Sequence, residues 1–302
     1  MSNTLRHLKQ ALSDLTLKDK TDKQREQNVI ALHALYNSLN PLPMAVIPDS
    51  TLATLPVDLQ IFSPEEHAST TFFRPLTVAQ LASYPKDPES SEVCDRQKLK
   101  YSTLDEGGDW YSTGECTLWE WGASICYTLA WELEMAPRLG TEYPKKTLND
   151  VIEWRGSEAW PVENQYLPMF SLYNEHWRAV YHWRPWYDED PHIKICQYHG
   201  IIGSPGQLLR EELLIIVGTM CTLMNREKFR KHLVIPVMMF SFIGERHGRI
   251  ILAHFNGQGQ RLVVHMSKLY RFLAEDEDSL ALFTRYAASV VEPSGNTKRL
   301  VG

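Results

Sequence analysis

The feature that most constrains the fold is one helical pattern followed by three strand patterns near the carboxyl end. In residues 207–229, apolar side chains recur at spacings of three and four, which is typical of a helix with a buried face. Residues 233–243 form an apolar run, and residues 249–255 and 261–266 follow as two further strands. An Asn-Gly pair at 256–257 favours a tight turn, because both central turn positions need positive φ. We predict a helix and a three-stranded antiparallel meander.

The amino-terminal third is predicted to contain helices and one long loop. Residues 1–40 carry two leucine-rich periodic segments, separated by a charged run at 18–23, and predict an N-terminal helical pair. Thr77 is placed to cap a short helix over residues 78–83. Residues 84–108 are polar and rich in Pro and Gly, so we predict a surface loop.

The middle of the chain is dominated by aromatic residues. Residues 116–135 indicate a helix that is buried on most sides, and residues 154–191 form the densest aromatic segment. We therefore predict a central aromatic-rich helical region, followed by a helix-meander-helix unit over residues 207–291. The expected fold class is α+β, with all of residues 1–302 in a single domain.

Composition excludes several classes of protein. The net charge of −6 and the pI near 6.0 disfavour a dedicated nucleic-acid binder, which usually carries excess Lys and Arg. No stretch approaches the ~20 apolar residues of a membrane helix, and the first residues lack the apolar core of a secretory signal. The five cysteines form no CxxC pair, which indicates reduced thiols. We expect a cytoplasmic protein without membrane contact.

A helix, a three-stranded meander and a closing helix resemble the core of the PD-(D/E)xK nucleases. That chemistry holds a divalent metal between carboxylates. Glu211 and Glu212 are candidates for the helical acid. The second strand, however, offers His254 and Asn256 where an acid is required, and Met266-Ser267-Lys268 has none before its lysine. We predict no metal and no cofactor, and an active nuclease is disfavoured.

The aromatic segment suggests a binding site. Trp177 and Trp183 are candidates to bind a flat or cationic substrate, because indole faces attract cations. Glu153 and Glu175 are candidates to bind that cation or to act as a base, and His176 is a candidate for proton transfer. The alternative is that the aromatic side chains fill the core and that His176 is a buried, hydrogen-bonded residue.

Arg249 opens the second strand of the meander directly after Gly248. A guanidinium at this position can clamp an anionic substrate group through two parallel hydrogen bonds. The alternative is an ion pair with Glu245 across the preceding turn. Arg249 is therefore both a candidate substrate-binding residue and a candidate structural residue.

Several segments resemble a large family of filamentous-fungal proteins, over residues 70–297 and most strongly in the meander. These segments are Phe72-Phe73-Arg74-Pro75-Leu76-Thr77, Pro205-Gly206-Gln207-Leu208-Leu209-Arg210-Glu211-Glu212-Leu213, Pro236-Val237-Met238-Met239-Phe240-Ser241-Phe242, Gly248-Arg249-Ile250 and Met266-Ser267-Lys268-Leu269-Tyr270. The resemblance extends to the arginine-containing cyclodipeptide synthases, which join two residues activated on tRNA into a diketopiperazine. It implies a transferase of specialised metabolism with a small-molecule substrate and aminoacyl-tRNA as a partner, but it assigns no catalytic residue.

Two hypotheses follow from the sequence. The first is a cytosolic enzyme whose site lies between the aromatic segment and one face of the meander. The second is a non-catalytic binding or interaction protein with a nuclease-like meander core. A pocket in which Glu153, His176 and Arg249 converge would favour the first hypothesis.

Overall fold

The computed structural model describes residues 3–66, 71–88, 118–141, 146–157, 177–187, 189–244, 246–272 and 277–298. The helices are α1 (Asn3–Leu39), α2 (Asp49–Leu52), α3 (Val78–Ala82), α4 (Leu118–Glu134), α5 (Leu148–Ile152), α6 (Arg210–Met224) and α7 (Glu277–Ala287). A short 3-10 helix (Glu227–Phe229) follows α6. The strands are β1 (Val57–Ile61), β2 (Phe73–Arg74), β3 (Trp154–Ser157), β4 (Trp177–Pro185), β5 (Ile193–His199), β6 (Val237–Ile243), β7 (His247–Asn256), β8 (Arg261–Met266), β9 (Tyr270–Arg271) and β10 (Val290–Val291).

An eight-stranded mixed sheet forms the centre of the described structure. Its order is β1-β8-β7-β6-β5-β4-β3, and β9 pairs with one end of β7. The pairs β1/β8 and β5/β6 are parallel, whereas the remaining neighbours are antiparallel. Strands β2 and β10 form a separate two-stranded antiparallel sheet.

Helices cover both faces of the large sheet, and each face has its own apolar core. We call the side covered by α1 and α6 the α6 face, and the side covered by α4, α5 and α7 the α4 face. Strand side chains alternate between the two. In β7, Ile251 and Ala253 belong to the core of the α6 face, whereas Ile250 and Leu252 belong to that of the α4 face. Gly122 lets α4 approach β5, since an added Cβ would lie 2.8 Å from Cβ of Tyr198.

The predicted meander is present, but the predicted fold class is wrong in what surrounds it. Strands β6, β7 and β8 are consecutive and antiparallel, as expected. They are part of an eight-stranded sheet, however, and not a three-stranded unit packed by helices. The reason is that α6 is a crossover helix, which returns the chain from β5 to the parallel strand β6. The overall class, α+β, holds.

The prediction that the central aromatic-rich region is helical is also wrong for most of its described residues. Residues 154–157, 177–185 and 193–199 are strands of the large sheet. Their aromatic side chains suit a pleated, half-buried surface, and cross-strand pairing outweighs any local helical preference. The buried helix predicted at 116–135 is confirmed as α4, and Thr77 caps α3 by accepting a hydrogen bond from the backbone N–H of Gln80.

The amino-terminal helical pair is one continuous helix, α1. The charged run at 18–23 contains neither Pro nor Gly, so nothing in it breaks the helix. Arg25 anchors the helix, because its guanidinium donates to the backbone carbonyls of Met224, Phe229 and His232. The surface loop is predicted over residues 84–108. Its residues 89–108 lie outside the described part of the chain.

The structure also brings two cysteines together. The sulfur atoms of Cys126 on α4 and Cys196 on β5 are in direct contact, 70 residues apart in the chain. From the sequence we expect separate reduced thiols, because spacing alone cannot show that these two positions face each other. Cys221, on α6, is also buried.

Candidate functional site

The two tryptophans proposed from the sequence lie on opposite faces of the sheet. Trp177 is buried in the core of the α6 face, and Trp183 is fully buried in the core of the α4 face. A β-bulge between Ala179 and Tyr181 shifts the alternation of β4 and separates them. The indole Nε1 of Trp183 donates to Oε1 of Glu134 at 2.8 Å. The structure therefore does not bring these two rings into one site.

Glu153 lies at the end of α5, with its side chain exposed and its φ at 58°. Its backbone carbonyl accepts a hydrogen bond of 2.8 Å from the N–H of Trp186, which ties the helix end to the end of β4. Glu175 and His176 lie outside the described residues. The catalytic roles predicted for these three residues stay predictions.

Arg249 faces α6 and forms a buried ion pair with Glu212. Its Nε and Nη2 donate to the two carboxylate oxygens at 2.8 and 2.5 Å, and Nη1 donates to the carbonyl of Gln207 at 2.6 Å. Glu245, the alternative partner, lies outside the described residues. Because these contacts occupy all three guanidinium nitrogens, the observed arrangement is a structural link between β7 and α6.

The acids that could serve a nuclease are also engaged. Glu211 accepts from Arg210 Nη2 at 2.5 Å, and Glu212 accepts from Arg249. Among the residues that the structure describes, no three or more His, Cys, Asp or Glu side chains form a group that could hold a metal ion. The helical glutamates are therefore held by arginines in the described structure.

A buried polar row crosses the α6 face beside that ion pair. Gln197, Ser241 and Arg249 are register partners on β5, β6 and β7. Gln197 Nε2 donates to Ser241 Oγ at 3.1 Å and lies 3.0 Å from Nε2 of His199. Burial lowers the pKa of His199 to about 4. Because all four side chains are almost completely buried, the row is an internal network of the fold.

A cavity of about 290 Å³ opens on the α4 face, at the β1 side of the sheet. It lies between β1, β7 and β8 and the segment that contains β2. We call it the His254 cavity. Its lining consists of Gln60, Ile61, Phe62, Thr71, Phe72, Phe73, Leu252, Ala253, His254 and His265.

Two histidines on neighbouring strands face this cavity. His254 on β7 is opposite Val263, and His265 on β8 is opposite Leu252, so the two imidazoles are diagonal neighbours on one face. Burial, and secondarily the charge of His265, lowers the pKa of His254 to about 4. His254 is therefore neutral near neutral pH, with one ring nitrogen able to donate and one able to accept.

The opposite wall of the cavity is held in place by the carboxyl-terminal segment. Phe72 packs edge-on against His254, with ring centroids 5.1 Å apart. The neighbouring Phe73 pairs with Val291 between β2 and β10, and the carbonyl of Phe72 accepts from the N–H of Glu292. An added Cβ at Gly295 would lie 2.3 Å from the carbonyl oxygen of Thr71, so glycine is required for this close approach.

The sequence alone gives His254 no site role and does not single out His265. The signal that could have found them is the hairpin between β7 and β8. Asn256 pairs with Arg261, so the loop of this hairpin consists of the four residues 257–260. The two-residue Asn-Gly turn predicted at 256–257 is therefore shorter than the observed loop. With the observed register, alternation places His254 and His265 on the same face.

Two further findings concern membrane-spanning helices and similarity to known proteins. In the part that the structure describes, no helix combines the length and the apolar character needed to cross a membrane. Comparisons of the chain with protein-family models, with curated proteins and with solved structures gave no match.

Proposed function

We propose that the protein is an enzyme that acts on a small organic molecule bound in the His254 cavity. The observation that carries the proposal is the pair of imidazoles, His254 and His265, in a cavity with walls of aromatic and aliphatic side chains. Concave apolar sites with a few convergent polar groups and a titratable residue of perturbed pKa are typical functional sites. The shifted pKa of His254 fits that description.

The two histidines suit different tasks. The neutral imidazole of His254 offers one donor and one acceptor, so it can hold a ligand group in a fixed orientation through hydrogen bonds. His254 is only 9% exposed and has a pKa of about 4, which makes it a weak base and a good orienting group. His265 is less buried, so it can exchange a proton with solvent. We assign the orientation of the ligand to His254 and proton transfer to His265.

The family resemblance supports a more specific form of this proposal. One of the resembling segments, Phe72 to Thr77, begins with two of the three phenylalanines that line the cavity. We propose on that basis a cytoplasmic transferase of specialised metabolism that uses an aminoacyl donor, in the manner of the arginine-containing cyclodipeptide synthases. The alternative, a non-catalytic binding protein, would use the same cavity but would return its ligand unchanged.

Untargeted metabolite profiling tests the proposal. The chain is expressed in a host that lacks related proteins, and extracts are compared with those of an empty-vector strain. We expect a new small molecule, and for the transferase form we expect it to be a diketopiperazine formed from charged tRNA in a cell-free reaction. Identical profiles, together with no product from charged tRNA, would contradict the enzyme proposal and leave the binding protein as the better account.

A further inference from the structure

We infer that the His254 cavity takes an uncharged, planar ring system with a hydrogen-bonding group on its edge, and that it rejects carboxylate, ammonium and guanidinium groups. This inference rests on the proposed function, because it names the class of ligand for the same cavity. It is carried by the residue types that line the cavity and by their placement.

The first observation concerns the charge of the described residues that line the cavity. Their polar members are Gln60, Thr71, His254 and His265, and none of these described lining residues is Asp, Glu, Lys or Arg. A charged ligand group that enters this cavity would lose part of its hydration and would gain no Asp, Glu, Lys or Arg partner from the described lining, which is costly. An uncharged ligand avoids that loss.

A carboxylate on the same strand edge, that of Asp58, is already engaged. Asp58 precedes Gln60 by two residues on β1, so both side chains are directed to the same side of the strand. Oδ1 of Asp58 accepts from Nε of Arg261 at 2.6 Å. Asp58 and Arg261 therefore compensate each other next to the cavity, and neither is a free counter-ion for a ligand.

The second observation concerns the shape of the ligand. Phe62, Phe72 and Phe73 all line the cavity, and aromatic side chains pack best against other flat rings in offset or edge-on geometry. A volume of about 290 Å³ is at the small end for ligand sites, which suits one ring or two fused rings. The imidazole edges of His254 and His265 can then pair with a donor or acceptor on the ring edge.

This ligand class has a consequence for the family resemblance. An arginyl donor carries a guanidinium, and the described residues that line the cavity offer no carboxylate to receive it. If the protein uses such a donor, the guanidinium must bind outside the His254 cavity. The cavity would then hold an uncharged acceptor or an uncharged part of the product.

Three probes with the same ring test the inference by isothermal titration calorimetry on the full chain near neutral pH. Indole is uncharged, indoleacetate is an anion, and tryptamine is a cation. We expect indole to bind at least about tenfold more tightly than either charged probe, which corresponds to about one pKd unit. We expect His254→Phe to weaken indole binding at least about tenfold, whereas His33→Gln, on α1 at the other face, should leave it unchanged.

The outcomes separate the inference from the proposed function. If a charged probe binds as tightly as indole and His254→Phe abolishes that binding, the inference is wrong, while the cavity remains a small-molecule site. If no probe binds in a way that His254→Phe affects, the inference is wrong, and the proposed function is decided by the metabolite comparison alone. A second variant is used if His254→Phe fails to fold. Gln60→Trp, at an exposed position on the edge strand β1, places a large side chain in the cavity. Unchanged indole affinity in Gln60→Trp would overturn the inference.

Discussion

Arg249 on β7 and Glu212 on α6 form a bidentate ion pair in which both side chains are almost completely buried, with exposures of 1% and 0%. The pair joins the crossover helix to the centre of the sheet. The pair also concerns the helical acid that a nuclease-like topology would use to bind a metal ion. That acid would be Glu212, and its carboxylate is held by Arg249. The described structure offers a candidate site elsewhere, in the His254 cavity.

Replacing one partner of this pair should be costly. We expect Arg249→Met to lower the free energy of unfolding by about 3–5 kcal/mol, because it leaves the buried Glu212 carboxylate without its charged partner. The double variant Arg249→Met with Glu212→Leu should recover most of that loss. Urea denaturation measures both. Asp58→Asn, in a half-exposed ion pair with Arg261, is the control and should cost less than about 1 kcal/mol. A loss below about 1 kcal/mol for Arg249→Met would refute the assignment.

The wall of the cavity depends on Gly295. We expect Gly295→Ala to destabilise the fold by about 1–3 kcal/mol and to weaken indole binding, because its Cβ would meet the Thr71 carbonyl oxygen at 2.3 Å. Gly259→Ala is the matched control, since the nearest atom to its added Cβ is 3.6 Å away. Calorimetric melting and indole titration measure the two effects. Equal stability of the two variants would show that the close approach at Gly295 does not matter.

A substitution at Trp183 tests whether this residue has a role in the core or in substrate binding. Trp183→Phe removes the hydrogen bond from the indole Nε1 to Glu134, so we expect a loss of about 1–3 kcal/mol in unfolding free energy. Indole affinity of the His254 cavity should not change. Tyr181→Phe removes the neighbouring hydrogen bond to the same carboxylate and should behave in the same way. Lost ligand binding at unchanged stability would instead support the role that the sequence predicts for Trp183.

Acid should weaken the fold through its buried histidines. The pKa values of His199 and His254 are lowered from the ordinary 6.5 to about 4, chiefly by burial. Between these values the unfolded chain binds protons that the folded chain does not, so stability is present in full above pH 6.5 and is lost as the pH falls towards 4. Each histidine should cost about 2 kcal/mol between pH 7 and pH 5.

Urea midpoints at several pH values test this expectation. His199→Gln should show a shallower pH dependence than the wild type, because one of the proton-linked groups is removed. A midpoint that is constant or rises between pH 7 and pH 5 would contradict the burial of these neutral imidazoles. His33, which lies on α1, provides a substitution of the same kind outside both clusters.

The parts of the fold that are local in sequence could be predicted, and the parts that depend on distant pairing could not. The helix at 210–224 and the strands β6 to β8 follow from periodicity within short windows. The parallel pairing of β5 with β6, and of β1 with β8, joins segments far apart in the chain, which no local pattern records. The aromatic strands are therefore predicted to be helical from the sequence, because their pairing partners cannot be identified from a local pattern.

The candidate site was missed for the same reason. His254 and His265 meet only because the β7–β8 hairpin has a four-residue loop and not the two-residue turn that Asn-Gly favours. The Phe72 wall depends on a two-stranded pairing with residues 290–291 near the other end of the chain. Neither relationship follows from composition or from the spacing of aromatic residues, so the sequence pointed to the aromatic segment instead.

The most direct test of the central claim is metabolite profiling of two cavity variants beside the wild type. His254→Phe and His265→Phe are expressed in the same host and at the same soluble level, with His33→Gln as the control. We predict that the compound produced by the wild type and by His33→Gln falls at least about tenfold in both cavity variants. Full production by the folded His254→Phe and His265→Phe variants, or no compound from the wild type, would contradict the claim that the His254 cavity is the active site.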